Sequence, residues 1–169
     1  MSALDILKLI AISVVAVAVL DLWQRLFHRL GGLPPTNWSV VGRWLKLLLR
    51  DRIFVNTQLQ TTPAMPGEAA AGWLLHYGIG VVYVFAFYLL WQPLHLLAPT
   101  WQDGVLFGVL SVVIPWFFFM PALGAGVLAH KTPRPVLACT AALLTHTVFG
   151  LAIAVLMAIV FKHLKGELV

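Results

Sequence analysis

Four long apolar stretches restrict what this chain can fold into more than any other feature of its sequence. A helix that crosses the hydrocarbon core of a bilayer needs about 20 mostly apolar residues. The stretches that reach this length cover residues 4–23, 72–97, 104–129 and 136–161. The first is the weakest, because Asp5, Lys8 and Asp21 lie near its ends. The sequence predicts an all-α, polytopic membrane protein built as a four-transmembrane-helix bundle.

The composition agrees with lipid as the solvent of this chain. Only 10% of the 169 residues are charged, whereas a soluble domain carries about a quarter. A chain of this length forms one domain, so we expect a single membrane domain over residues 1–169. The net charge is +5, but no basic surface interleaved with aromatic residues lies outside the predicted helices. The bilayer is therefore the expected partner, and a nucleic acid is not.

The polar segment between the first two apolar stretches, residues 24–71, contains one amphipathic piece. Over residues 38–50, Val41, Leu45 and Leu48 share a helical face. The basic side chains point elsewhere, a pattern typical of a helix that lies in the membrane interface. These side chains are candidate contacts to anionic lipid headgroups, namely Arg43, Lys46 and Arg50.

The distribution of lysine and arginine predicts the topology. With four spans, residues 24–71 and 130–135 lie on one side of the membrane, and both termini lie on the other. The first side carries eight basic residues, and the other side carries Lys8, Lys162 and Lys165. Because cytoplasmic loops are enriched in lysine and arginine, residues 24–71 and 130–135 are expected in the cytoplasm and both termini outside.

Small residues recur every fourth position in three of the predicted spans, and this spacing lets helix backbones approach closely. His76 and His146 both lie on these stripes, so both are expected at contacts between helices. The stripes consist of Gly72, His76 and Gly80, then Gly104 and Gly108, and finally Ala142, His146, Gly150, Ala154 and Ala158.

The two histidines, with Asp21, form the candidate intramembrane polar site. An ionisable residue inside a span is costly and usually faces the protein interior, often for a functional reason. His76 and His146 could bind a solute, carry a proton or ligate a metal or haem, or they could only join helices. A haem between them is disfavoured, because their predicted depths differ by roughly 9 Å. Asp21 could orient His76 or pair with Arg25 on its own helix, and the cofactor stays undecided.

The third apolar stretch contains a sequence that weakens a helix. Pro121 is followed closely by Gly124 and Gly126, and this combination frees backbone carbonyls and permits a bend. Broken helices form binding sites in transporters, so these residues are a candidate kink or pocket. The alternative is a packed bend without a ligand.

Several short motifs follow one another along nearly the whole chain. They are Asp21-Leu22-Trp23, Asn37-Trp38-Ser39-Val40-Val41-Gly42-Arg43-Trp44, Gly72-Trp73-Leu74-Leu75-His76-Tyr77-Gly78-Ile79-Gly80, Pro121-Ala122-Leu123-Gly124-Ala125-Gly126, Thr132-Pro133-Arg134-Pro135 and Thr145-His146-Thr147-Val148-Phe149-Gly150. In this order the motifs resemble those of one bacterial inner-membrane family, catalogued as domain of unknown function 2938. The resemblance implies a small multi-helix protein of the bacterial inner membrane. It brings no activity, substrate or cofactor.

Three classes of function stay open. The first is a protein that binds or moves a small solute or a proton through a polar pocket at the helix contacts. The second is an accessory subunit for a partner membrane protein, and the third is a redox, metal or haem protein that uses His76 and His146. Transport by so small a bundle would call for a homodimer. No enzyme motif assigns a reaction to the chain.

Overall fold

The computed structural model describes residues 1–162, with Lys162 described by its backbone alone. Lys165, one of the basic residues counted for the topology, lies outside the described residues. The described part of the chain consists of helices and the loops that join them, and the all-α prediction is confirmed. The α-helices are, in chain order, α1 Ala3–Arg29, α2 Trp38–Asp51, α3 Glu68–Trp91, α4 Trp101–Ser111, α5 Met120–Ala122 and α6 Pro135–Met157.

Four helical segments of the described chain are long and apolar enough to cross a membrane, as predicted. They are Ala3–Arg29, Glu68–Trp91, Trp101–Ala122 and Pro135–Phe161. The shortest has 22 residues and rises about 33 Å at ~1.5 Å per residue. A hydrocarbon core is about 30 Å thick, so every one of these helices can span it.

Two of the spanning helices end before their apolar runs do. The second ends at Trp91, just before Pro93, which has no backbone N–H to continue a helix. The third begins where Thr100 caps it, since the Thr100 hydroxyl accepts a 3.3 Å hydrogen bond from the N–H of Asp103. It ends at Ala122, and Gly124 and Gly126 follow with φ of 86° and 77°. These left-handed glycines take the chain out of the helix.

The third span changes its winding near Pro115. Residues Pro115–Phe119 form a π-helical turn between α4 and α5. Because proline lacks an N–H and its ring crowds the preceding turn, it disturbs the α-helical hydrogen-bond ladder at this position. The helix resumes for one short turn in α5 before it ends.

The described residues group into two compact units. The first contains Met1–Trp23, Tyr77–Ser111 and residues 144–162. Its apolar core is filled by large side chains from α1, α3 and α6 with one ring from α4. Its members include Leu9, Ile12, Val17, Val84, Phe87, Phe107, Phe149, Ile153 and Met157.

The second unit contains Gln24–His76 and Val112–Leu143. Asn37 caps α2, because its side-chain oxygen accepts hydrogen bonds from Ser39 and Val40 at 3.1 and 3.4 Å. The helix predicted over residues 38–50 is therefore present, one residue longer. Val41 of its predicted apolar face is buried, and Leu45 and Leu48 pack against the core of this unit, so the contact of this helix with the membrane interface stays a prediction.

Candidate functional site

His146 and Ser111 form the most sharply defined polar contact within the spanning helices. The Oγ of Ser111 lies 2.8 Å from Nδ1 of His146 and 2.8 Å from the carbonyl oxygen of Gly108. A serine hydroxyl carries only one hydrogen, and here it is donated to Gly108. In the tautomer that carries the N–H on Nδ1, His146 donates to the serine oxygen. This tautomer leaves Nε2 with a lone pair that can accept a hydrogen bond.

Small residues bring α4 and α6 together at this contact. A Cβ on Gly108 would overlap the carbonyl oxygen of His146, and a Cβ on Gly104 would lie only 2.8 Å from the carbonyl oxygen of Gly150. The two predicted stripes of small residues thus face each other across α4 and α6. Because Ser111 is three residues after Gly108, it lies on the same face of α4 and meets His146 directly.

Aromatic rings pack beside the His146 imidazole. The ring of Tyr83 lies edge-on to the His146 imidazole, with centroids 5.7 Å apart and planes at 76°. Phe107 and Phe149 pack edge-on against Tyr83 in turn, at 6.1 and 5.8 Å. The serine-histidine pair is therefore a polar contact next to apolar side chains, and a hydrogen bond in such surroundings is stronger than in water.

His76 has different surroundings in the second unit. Its imidazole stacks on the indole of Trp38, with centroids 3.8 Å apart and planes at 19°, and Trp73 lies at 5.7 Å. One turn earlier, a Cβ on Gly72 would overlap the carbonyl oxygen of Trp38. The predicted role of Gly72 as a point of close helix approach therefore brings His76 against the start of α2.

Asp21, the third member of the predicted polar site, lies half-buried on α1 in the first unit together with His146. His76 belongs to the second unit, and a single site formed by His76, His146 and Asp21 stays a prediction. Over residues 1–162, no three His, Cys, Asp or Glu side chains cluster closely enough to hold a metal ion. The metal hypothesis therefore gains no support from residue clustering.

Arg43 is held inside the protein, and this corrects its expected contact with lipid headgroups. Its side chain is 10% exposed and makes two hydrogen bonds to the Glu68 carboxylate, at 2.8 and 2.9 Å. Its remaining nitrogen donates to the carbonyl oxygens of Leu59 and Thr62 at 3.3 and 2.6 Å. The hydrogen bonds to Glu68 hold the pKa of the Arg43 guanidinium above its ordinary value. Through these hydrogen bonds, the guanidinium on α2 links this helix to the following loop and to α3.

The other two predicted headgroup contacts lie nearer the surface. Lys46 is half-buried, and its Nζ approaches the open side of Gly67, 3.8 Å from an ideal Cβ position. Arg50 is exposed and forms a two-point ion pair with Asp51, both contacts at 2.7 Å. Their contact with lipid stays a prediction, and in the structure Arg50 already has an anionic partner.

The predicted kink is packed against the loop that follows α2. The backbone N–H of Asn56 donates to the carbonyl oxygen of Ala122 at 3.1 Å. A Cβ on Gly124 would lie 2.6 Å from the carbonyl oxygen of Asn56, and one on Gly126 would overlap the His130 ring. The third span therefore ends within the segment of Pro121, Gly124 and Gly126, and the loop after α2 packs against this end. A ligand pocket there stays a prediction.

Two partners at these sites were absent from the sequence prediction. Ser111 is one hydroxyl in an apolar run, and its only signal is the three-residue spacing from Gly108. Glu68 begins α3 but lies 25 residues from Arg43, and no local pattern connects the two. Both contacts depend on how helices are placed in space.

The fold and the site define a class of protein, which is a small multi-pass helical membrane protein with a polar contact inside its spanning helices. Residues 10–160 match the family described as Protein of unknown function (DUF2938). The match covers most of the chain, so the chain belongs to this family, as its motifs indicated. Searches of curated proteins and of solved structures found no match.

Proposed function

We propose that this membrane protein binds a small uncharged polar solute at His146 and allows it to cross the bilayer. The observation that supports this is the serine-histidine contact, which in the Nδ1–H tautomer leaves the Nε2 lone pair of His146 free to accept a hydrogen bond. That atom can accept a hydrogen bond from an O–H or N–H group of a solute. A neutral imidazole costs least inside a membrane span, and a neutral acceptor suits an uncharged solute better than a cation.

Passage through the protein can be measured by stopped-flow light scattering of proteoliposomes, with glycerol and urea as probes. We expect vesicles that contain the wild-type protein to re-swell faster than protein-free vesicles with at least one probe. His146→Ala should return the rate to that of protein-free vesicles while the melting temperature stays unchanged. His28→Gln is the matched control, because His28 is exposed and its imidazole contacts a backbone carbonyl oxygen of its own segment, that of Gly32.

The same vesicles separate this proposal from its alternatives. Passage of protons, reported by a pH-sensitive dye inside the vesicles, without passage of either probe would instead make His146 a proton carrier. A large fall in melting temperature for His146→Ala, with permeability at the protein-free level for the wild type, would make the histidine a structural contact. The protein would then fit an accessory role beside a partner membrane protein.

The functional unit we propose is a homodimer in a bacterial inner membrane. A single chain with four spans encloses little interior volume, and a second copy would enlarge it. Residues 24–71 and 130–135 face the cytoplasm in this proposal, and both termini face outward. The excess of lysine and arginine on the first side supports this orientation.

A further inference from the structure

A continuous exposed stretch follows the last buried turn of α2. Every residue from 49 to 55 is exposed. Leu49 has 64% of its surface exposed, and Ile53, Phe54 and Val55 follow with 39–52%. Two arginines lie between these apolar residues. The segment therefore combines basic and apolar side chains on one surface of the second unit.

The backbone holds this stretch in a defined position. Arg52 ends α2 in the left-handed conformation, with φ of 59°, and its N–H donates to the carbonyl oxygen of Leu48. The indole N–H of the buried Trp44 donates to the carbonyl oxygen of Phe54 at 2.7 Å. These two hydrogen bonds fix the direction of the chain on both sides of Ile53.

The aromatic part of this surface lies at the end of a spanning helix. The ring of Phe54 packs edge-on against Phe118, with centroids 5.0 Å apart. Phe118 is 44% exposed and lies in the last turns of the span Trp101–Ala122. The ends of spanning helices lie near the boundary between acyl chains and headgroups, so these two apolar rings lie within reach of a lipid's acyl chains.

The charges on this surface are not equivalent. Arg50 is paired with Asp51, and this guanidinium holds the pKa of the Asp51 carboxyl below its ordinary value. Arg52 forms no ion pair with any residue of the described chain. One unpaired positive charge therefore lies beside exposed apolar side chains that already contact the end of a span.

We propose that this surface, formed by Arg52, Ile53, Phe54 and Phe118, binds an anionic phospholipid. The phosphate accepts hydrogen bonds from the Arg52 guanidinium, which matches phosphate geometry. The acyl chain packs along the apolar side chains that follow. A free anion would contact the arginine alone, whereas a lipid contacts both the arginine and the apolar side chains. This inference does not depend on the proposed solute passage.

Native mass spectrometry of the detergent-purified protein can test this binding with phosphatidylglycerol and phosphatidylcholine of identical acyl chains. We expect the wild type to retain phosphatidylglycerol in preference. Arg52→Asn should lower this preference roughly fivefold, and Arg52→Lys should keep much of it. Asparagine tolerates the left-handed conformation, so Arg52→Asn should fold with an unchanged melting temperature. Phe54→Ala should weaken retention of both lipids.

Two matched variants decide whether the position matters or only the net charge. Arg29→Gln removes an exposed arginine elsewhere in the second unit and should leave the preference unchanged. Asp51→Asn releases Arg50 and should increase phosphatidylglycerol retention. Equal retention of both lipids by the wild type, or equal losses for Arg29→Gln and Arg52→Asn, would overturn the proposal. The proposal would also be overturned if Phe54→Ala dissociated a protein dimer and left lipid retention unchanged.

Discussion

Arg43 and Glu68 form a two-point ion pair that joins α2 to the first turn of α3. Their side chains are 10% and 12% exposed, and the closest contact is 2.8 Å. The carboxylate also accepts a hydrogen bond from the N–H of Met65 at 2.8 Å. The guanidinium reaches two loop carbonyls in addition to the carboxylate. Nearly every polar atom of the pair is therefore satisfied inside the second unit.

Removing one side of this pair should destabilise the protein. Glu68→Gln leaves the buried Arg43 without its counter-charge, which is the costly way to break an ion pair. We expect the melting temperature in detergent to fall by about 5 °C or more. Asp51→Asn breaks the exposed pair with Arg50 and should change it by less than about 2 °C. Similar shifts for the two variants would show that Arg43 is not a structural clamp.

The crossing of α2 and α3 should tolerate no side chain larger than hydrogen at two positions. A Cβ on Gly42 would overlap the carbonyl oxygen of Glu68, and a Cβ on Gly72 would overlap that of Trp38. Because these obstacles are backbone atoms, Gly42→Ala and Gly72→Ala should each lower the melting temperature in detergent sharply.

A third glycine provides the control for this prediction. A Cβ on Gly78, also in α3, would meet no atom within 4 Å. Gly78→Ala should be neutral or stabilising by roughly 0.5–1 kcal/mol, because alanine favours a helix. A destabilisation by Gly78→Ala equal to that of Gly72→Ala would mean that helix contact is not the cause.

The proposed orientation predicts which loops can be labelled from outside the cell. In a Cys139→Ser background, Gln60→Cys places a thiol in the loop after α2, and Gln102→Cys places one at the start of α4. Both positions are exposed. A membrane-impermeant maleimide added to intact bacterial cells should label Gln102→Cys and leave Gln60→Cys unlabelled. The reverse pattern would invert the proposed topology.

The sequence was sufficient for the spanning helices and for the contacts between some of them. Apolar runs of membrane length predicted the four spans, because lipid requires them. The four-residue spacing of small side chains predicted that Gly108 and His146 lie at helix contacts, and the structure brings these two together. Two spanning helices end before their apolar runs do, one just before Pro93 and the other just before Gly124. The length of an apolar run does not predict these end points.

The remaining contacts depended on information that no local pattern contains. An amphipathic pattern in α2 identified an apolar face but could not say whether lipid or protein covers it. Gly42, in the middle of that helix, lies against the carbonyl oxygen of Glu68, a contact that the amphipathic pattern did not predict. Arg43 was therefore expected at headgroups, although Glu68 lies 25 residues later and pairs with it in space. The contact between Ser111 and His146 likewise depends on which face of α4 is turned toward α6, and the sequence does not show this.

The tautomer of His146 is the most direct test of the proposed acceptor site. Nitrogen-15 NMR of protein labelled at histidine, with the signals assigned by His146→Gln, distinguishes a protonated from an unprotonated ring nitrogen. We predict a protonated Nδ1, an unprotonated Nε2, and a change of the Nε2 signal when a solute that crosses the vesicles is added. Ser111→Ala should remove the tautomer preference. A protonated Nε2 in the wild type, unaffected by Ser111→Ala, would contradict the account.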